Sequence, residues 1–266
     1  MKPIERLLDI MTRLRDKETG CPWDVEQDFA SIVPYTLEEA YEVADAIERK
    51  DMTSLKEELG DLLLQVVFHS QMAGEQGLFT FDEVASGISD KLVRRHPNVF
   101  ADAKVKTAAE QSVAWEKHKD AEKKQTGGGL NADPLAGVPV TMPAMLRALK
   151  LQQKAARVGF DWANIDAVFE KLNEEVEELM HVMAHSDSHE GRLEEIGDMM
   201  FCCVNLARKL QVDPEEALRF CNRKFVERLS FVRHSLDGEK RDMTDASLQE
   251  LNDLWDQAKI AERMEH

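Results

Sequence analysis

Apolar positions recur at three- and four-residue spacing over most of the chain, the period of amphipathic helices. Ile4, Leu7, Leu8, Met11 and Leu14 fall on one face of a first predicted helix. Pro34 and Thr36 are read as introducing a second, with Leu37, Ala40, Tyr41, Ala44 and Ile47 directed inward. Ser54 is read as opening a third, whose inward face carries Leu55, Leu59, Leu62, Leu63, Val66 and Val67. "FTFDEVASGISDKLVRR" predicts a fourth, stopped by Pro97, and "AAEQSVAWEKHKDAEKK" predicts another. No stretch alternates convincingly with the two-residue period of a half-buried strand. The expected fold class is all-α.

A Gly/Pro-rich stretch from Lys123 to Pro143 interrupts this pattern, and helical periodicity resumes at Ala144. The expected organisation is a helical domain over residues 1–122, a linker over 123–143 and a second helical domain over 144–266. The halves are related. "GCPW" at Gly20 matches "GFDW" at Gly159, "DKLVRR" at Asp90 matches "RKFVER" at Arg223, and "WEKHK" at Trp115 matches "WDQAK" at Trp255. Glu39 and Glu42 match Glu175 and Glu178, and Glu58 and Asp61 match Glu195 and Asp198. Matches in one order at nearly constant offset predict a tandem repeat of one helical-bundle domain.

Composition narrows the function. The 266 residues carry a formal net charge of −17, with 43% hydrophobic and 32% charged residues. That is a globular balance with enough apolar material for a core. The acidic excess argues against nucleic acid as a partner, because displacing its counterions needs basic patches. The first residues carry charges throughout and resemble neither a signal peptide nor a membrane span. The four cysteines, with no CxxC among them, fit reduced thiols. A cytoplasmic protein with no membrane partner is expected.

The carboxylates carry the candidate chemistry. Residues three apart share a helix face, so Glu39 with Glu42 and Glu58 with Asp61 form two pairs. If the two helices pack antiparallel, four carboxylates enter one space. Such charges need neutralising, and an oxygen-only donor set selects Mg²⁺, with Mn²⁺ as the alternative. Thr36-x-x-Glu39 and Ser54-x-x-Glu57 also read as capping boxes. Recurrence of the pattern at Glu175, Glu178, Glu195 and Asp198 argues against capping, or a solvated acidic face, as the full explanation. A di-iron bundle needs paired Glu-x-x-His motifs, and the single one, Glu178-x-x-His181, has no counterpart in the first repeat.

Lys91 with Arg95, and Lys224 with Arg228, are spaced to share a helix face. This suits a clamp on phosphate oxygens, and equally an ordinary surface pair. Trp115 and Trp255 can be core residues or platforms for a nucleobase. Metal cage, cations and aromatic platform together describe a nucleoside triphosphate site, without a P-loop.

At these residues the sequence resembles the MazG family of nucleoside triphosphate pyrophosphohydrolases, whose hallmark is EExxE followed by ExxD. "RLRDKETGCPWD", "YTLEEAYEV", "EELGDLLLQVVF", "DKLVRRHPNVF" and "VGFDW" carry the likeness, which spans essentially the whole chain. The resemblance implies Mg²⁺-dependent hydrolysis of NTPs and dNTPs, with broad specificity, to monophosphate and pyrophosphate. It also implies a homodimer. Carried over, Glu175, Glu178, Glu195 and Asp198 hold the metal, with Glu175 or Glu195 as general base. Lys171, Lys224 and Arg228 contact phosphates, and Trp255 contacts the base. The matching set in the first repeat is Glu39, Glu42, Glu58, Asp61, Lys91, Arg95 and Trp115. The alternatives are a regulatory nucleotide-binding protein in which one or both sites do not turn over, and a scaffold with a solvated acidic face.

Overall fold

The computed structural model describes residues 1–101, 107, 110–111, 133–186, 188–238 and 240–264. Among them all regular structure is helical. The chain divides into two compact units, Met1–Gly127 and Gly128–His266. The helix expected in "AAEQSVAWEKHKDAEKK", including Trp115, lies almost entirely outside the described residues, as does the first part of the Gly/Pro-rich stretch.

The first unit contains α1 (Pro3–Leu14), α2 (Pro22–Glu26), α3 (Phe29–Glu48), α4 (Met52–Glu75), α5 (Phe81–Arg95) and α6 (Pro97–Phe100). The long helices α3 and α4 pair as a hairpin, and α1 and α5 pack on α4. The second contains α7 (Ala144–Arg157), α8 (Ile165–His185), α9 (His189–Lys209), α10 (Pro214–Gly238), a 3₁₀ turn (Met243–Asp245) and α11 (Leu248–Met264). Here α8 and α9 pair as the hairpin, α7 packs on α9, and α10 pairs with α11.

The hairpin helices start earlier than the sequence reading places them. Asp28 caps α3 by accepting from the Ser31 amide at 2.8 Å, and Ser31 Oγ accepts from the Asp28 amide at 2.9 Å. The helix then continues through Pro34, which removes only one backbone donor. Thr36 is therefore not a cap; its hydroxyl donates back to the Ile32 carbonyl at 3.2 Å. Asp51 caps α4 at the Thr53 and Ser54 amides, so Ser54 lies inside that helix. These corrections remove both capping-box readings. With Asn164 capping α8 and Ser188 capping α9, the corresponding carboxylates stand equally far from their caps in both repeats.

The core of the first unit is Met11, Ile32, Val67, Phe68 and Met72, with Leu7, Leu8, Leu64 and Phe81 packed against it. Arg15, after α1, grips Glu75 at the end of α4 through two bonds of 2.8 Å. Charge-assisted and bidentate, this pair fixes α1 on α4. The second unit uses a different tie, in which Arg208 and Lys209 both reach Asp161. The matched glycines also differ in reason. A Cβ on Gly20 would stand 2.4 Å from the Leu14 and Asp16 carbonyl oxygens, whereas Gly159 adopts φ +87°.

One expected core face is open. Leu37, Tyr41 and Ile47 on α3, and Leu59, Leu63 and Val66 on α4, are exposed, Tyr41 by 55%. Ile196 and Met200 on α9, which align with Leu59 and Leu63, are exposed by 47% and 53%. The helical period is as read, but these apolar positions stay exposed among the described residues.

Candidate active site

Each hairpin gathers its carboxylates. Oxygens of Glu39, Glu42 and Glu58 lie within 4.8 Å of one another, as do those of Glu175, Glu195 and Asp198. The fourth member of each set acts on members of its cluster. The Asp61 charge acts on both Glu39 and Glu58, and Glu178 hydrogen-bonds to Glu175. Helix hairpins do this because residues three apart on antiparallel neighbours face a common seam.

The electrostatics match that crowding. Burial, then the charges of Asp61, Glu42 and Glu58, push the Glu39 carboxyl above its ordinary range. Glu58 is pushed up by burial and then by Glu42 and Asp61. Glu178 is raised first by its hydrogen bond to Glu175, then by burial and the Glu175 charge. Like charges this close raise one another's proton affinity, and a cation among them would relieve the repulsion.

The second repeat adds a cation of its own. Lys171 Nζ lies 2.7 Å from both Glu174 and Glu175, and the Glu175 side chain is only 4% exposed. Hydrogen bonds to Glu174 and Glu175 raise the Lys171 pKa far above its ordinary value, so the ammonium is fixed. The position of Lys171 in the first repeat is Tyr35, which meets Trp23 edge-on at 5.7 Å. Phe68 stands where the second repeat has Asn205, and it also meets Trp23 edge-on, at 6.5 Å. Trp23 thus packs between aromatic neighbours while remaining half-exposed.

Donor chemistry fits a hard divalent cation. The clustered ligands are all carboxylate oxygens. Cys202, one turn beyond Asp198, is buried, and burial followed by the Glu175 charge pushes its thiol up. That disfavours a thiolate there, and Cys202 is not among the clustered ligands.

The sequence-predicted cations and tryptophan form a second grouping in the same unit. Lys224 and Arg228 on α10 line a cavity of about 550 Å³ with Phe220, Ala258 and Glu262. None of the four carboxylates of the second repeat lines it. Lys224 Nζ sits 4.7 Å from the Phe220 ring centroid. The Arg228 guanidinium sits 5.7 Å from the Trp255 ring centroid, and Trp255 packs on Phe225 at 5.3 Å. In the first unit Lys91 is exposed and Arg95 half-buried on α5, and Trp115 lies outside the described residues. Sequence reasoning missed Glu262, which accepts two bonds from Arg228. The available signal was its place two turns beyond Trp255 on one predicted helix.

Comparison with known proteins bears on this geometry. The MazG nucleotide pyrophosphohydrolase domain matches residues 27–100 and 164–232, which take in both hairpins. The chain is 46% identical over 263 residues to the nucleoside triphosphate pyrophosphohydrolase of Escherichia coli, covering 98% of this chain and 99% of that one. It is 40% identical to the nucleoside triphosphate pyrophosphohydrolase/pyrophosphatase MazG of Thermotoga maritima, over 96% and 95% of the two chains. The uncharacterized protein YabN of Bacillus subtilis is 42% identical over 92% of this chain and 49% of its own. With a family match on both hairpins and relatives aligned end to end, the chain belongs to the MazG nucleotide pyrophosphohydrolase domain family.

Proposed function

We infer that the chain is an enzyme, a nucleoside triphosphate pyrophosphohydrolase, releasing nucleoside monophosphate and pyrophosphate. The observation that carries the reading is the second-repeat cluster: Glu175, Glu195 and Asp198 within ligand distance, with Lys171 fixed on the buried Glu175. Names of the long-matching relatives support the same activity.

Glu175, Glu178, Glu195 and Asp198 would hold Mg²⁺, with Mn²⁺ as the alternative. A bound divalent cation neutralises the triphosphate and makes water a better nucleophile. Glu175 or Glu195 accepts the proton of the attacking water. The water oxygen bonds to the α-phosphorus, the bond from that phosphorus to the bridging oxygen breaks, and pyrophosphate leaves with the electron pair. Lys171, Lys224 and Arg228 hold phosphate oxygens. Trp255 stacks on the base, a contact that distinguishes bases poorly and supports broad NTP and dNTP use.

The first repeat has the matching set of Glu39, Glu42, Glu58, Asp61, Lys91, Arg95 and Trp115. Tyr35 and Phe68 stand where the second repeat has Lys171 and Asn205, and this favours a binding or structural role there. That is the regulatory reading confined to one domain. The open apolar flank of each hairpin supports a homodimer, since faces of this kind need a partner. Among the described residues no helix is long and apolar enough to cross a membrane.

Hydrolysis in ¹⁸O-labelled water tests the reaction. Label in the monophosphate fits attack at the α-phosphorus. Label in pyrophosphate would move the attack to the β-phosphorus, and release of diphosphate and phosphate would reject this function.

A further inference from the structure

We propose that Glu262 is a positioning residue. It holds the Arg228 guanidinium over Trp255, so that phosphate and base contacts in the second repeat are set as one unit. The proposal rests on the reading that this repeat turns over nucleoside triphosphates.

Three relationships carry it. Arg228 Nε and Nη2 both donate to Glu262 Oε2, at 2.9 and 2.6 Å. The two side chains are only 21% and 29% exposed, which limits screening by water. The same guanidinium lies 5.7 Å from the Trp255 ring centroid. Glu262 and Trp255 stand seven residues apart on α11, two turns along one face, with buried Ala258 between them. That small residue leaves room for α10 and its Arg228.

A guanidinium has five N–H donors in a planar fork. Glu262 takes two of them through one oxygen on one edge, leaving Nη1 and the second Nη2 hydrogen for phosphate oxygens. Lys224, one turn earlier on α10, lines the cavity that Arg228 and Glu262 also line. An arginine without this partner keeps its charge but loses its plane of presentation. Lys224 is the weaker substitute, since an ammonium is a point charge with no bidentate geometry.

The test uses the full chain carrying Glu262→Ala, Glu262→Gln, Arg228→Ala and the Arg228→Ala/Glu262→Ala pair, with steady-state kinetics under metal and triphosphate. Thermal melts check that each variant folds. Positioning predicts that Glu262→Ala lowers kcat/KM about 10- to 100-fold, while Glu262→Gln, which keeps an acceptor oxygen, recovers most of it. In the Arg228→Ala background the Glu262→Ala change adds nothing. Tryptophan emission, read as the difference from Trp255→Phe, shifts in Glu262→Ala without any substrate. Faster turnover in Glu262→Ala would instead make Glu262 a competitor that phosphate must displace, and would overturn the proposal. So would an undiminished loss in the Arg228→Ala background, or a Glu262→Gln as impaired as Glu262→Ala. If Glu262→Ala fails to fold, the Gln variant and its pairing with Arg228→Ala decide alone. A wild-type protein that releases no monophosphate and pyrophosphate would sink the underlying reading together with the proposal. A working wild type with an uncoupled Glu262 would sink the proposal only.

Discussion

The ammonium of Lys171 stands 2.7 Å from the carboxylate of Glu175, and this contact separates two otherwise parallel acidic clusters. In the first repeat Tyr35 occupies that place, and the factors acting on Glu39 all raise its proton affinity. Lys171→Met should therefore act in two directions. Removing a cation from beside the carboxylates strengthens divalent-metal binding, seen as a lower apparent Kd in calorimetry. It also removes a phosphate contact, so kcat/KM falls about 10- to 100-fold. Unchanged metal affinity with unchanged turnover would mean that the contact is only a surface pair.

The raised carboxyls predict how metal and pH combine. A carboxyl whose folded pKa exceeds its unfolded value binds its proton more tightly when folded. Metal-free protein should thus lose stability as pH rises from the ordinary glutamate value of 4.5 through the raised values of Glu39, Glu58 and Glu178. Above that window the loss is complete and the curve is level in this contribution. Mg²⁺ needs the ionised carboxylates, so its effect on Tm should be large at pH 7.5 and small near pH 4.5. At a free concentration one hundred times Kd the gain is about 2.7 kcal/mol. A Tm indifferent to Mg²⁺ at pH 7.5 would remove the metal site.

His69 works in the opposite sense. Burial pushes its imidazole down from the ordinary 6.5, where the ring stacks on Phe29 at 5.9 Å and meets Thr36 at 3.2 Å. A histidine lowered on folding favours its neutral form. Its contribution is present above pH 6.5 and is lost as pH falls from there through the folded pKa. Chemical denaturation at pH 7.5 and 5.5 should show a smaller acid-side loss in His69→Gln than in the wild type. An equal loss in both proteins would assign the acid sensitivity elsewhere.

The open flank of α9 makes a further prediction. Ile196 and Met200 are exposed by about half, at the positions of Leu59 and Leu63 in the first repeat. If this flank is a dimer surface, Ile196→Glu with Met200→Glu buries two charges in an apolar interface. Light scattering should then show a lower mass at concentrations where the wild type is dimeric. A wild type that is monomeric throughout would reject the dimer.

Much of this was legible before any coordinates. The all-α class follows from periodicity, and the two hairpins follow from repeating that periodicity with its carboxylates. Helix starts were less legible, because Asp28 and Asp51 cap from outside the apolar pattern while Thr36 and Ser54 present a stronger local signal. The inward faces assigned to Leu37, Tyr41 and Ile47 failed for a different reason. Amphipathic pattern tells which face is apolar, not whether its cover comes from the same chain. The Arg228–Glu262 bond joins residues on different helices, and no spacing rule within one helix could reveal it. Lys171 was marked by resemblance, but its bond to Glu175 is an i, i+4 pairing that the residues themselves offered.

The central claim is that the carboxylate cluster of the second repeat is the hydrolytic centre. Its most direct test follows monophosphate and pyrophosphate release from one triphosphate, with and without Mg²⁺, in wild type, Glu175→Gln and Glu39→Gln assayed side by side. The account predicts metal-dependent release by wild type, a loss of about three orders of magnitude or more in Glu175→Gln, and a change of less than about tenfold in Glu39→Gln. Near-normal release by Glu175→Gln, or abolition confined to Glu39→Gln, would contradict it.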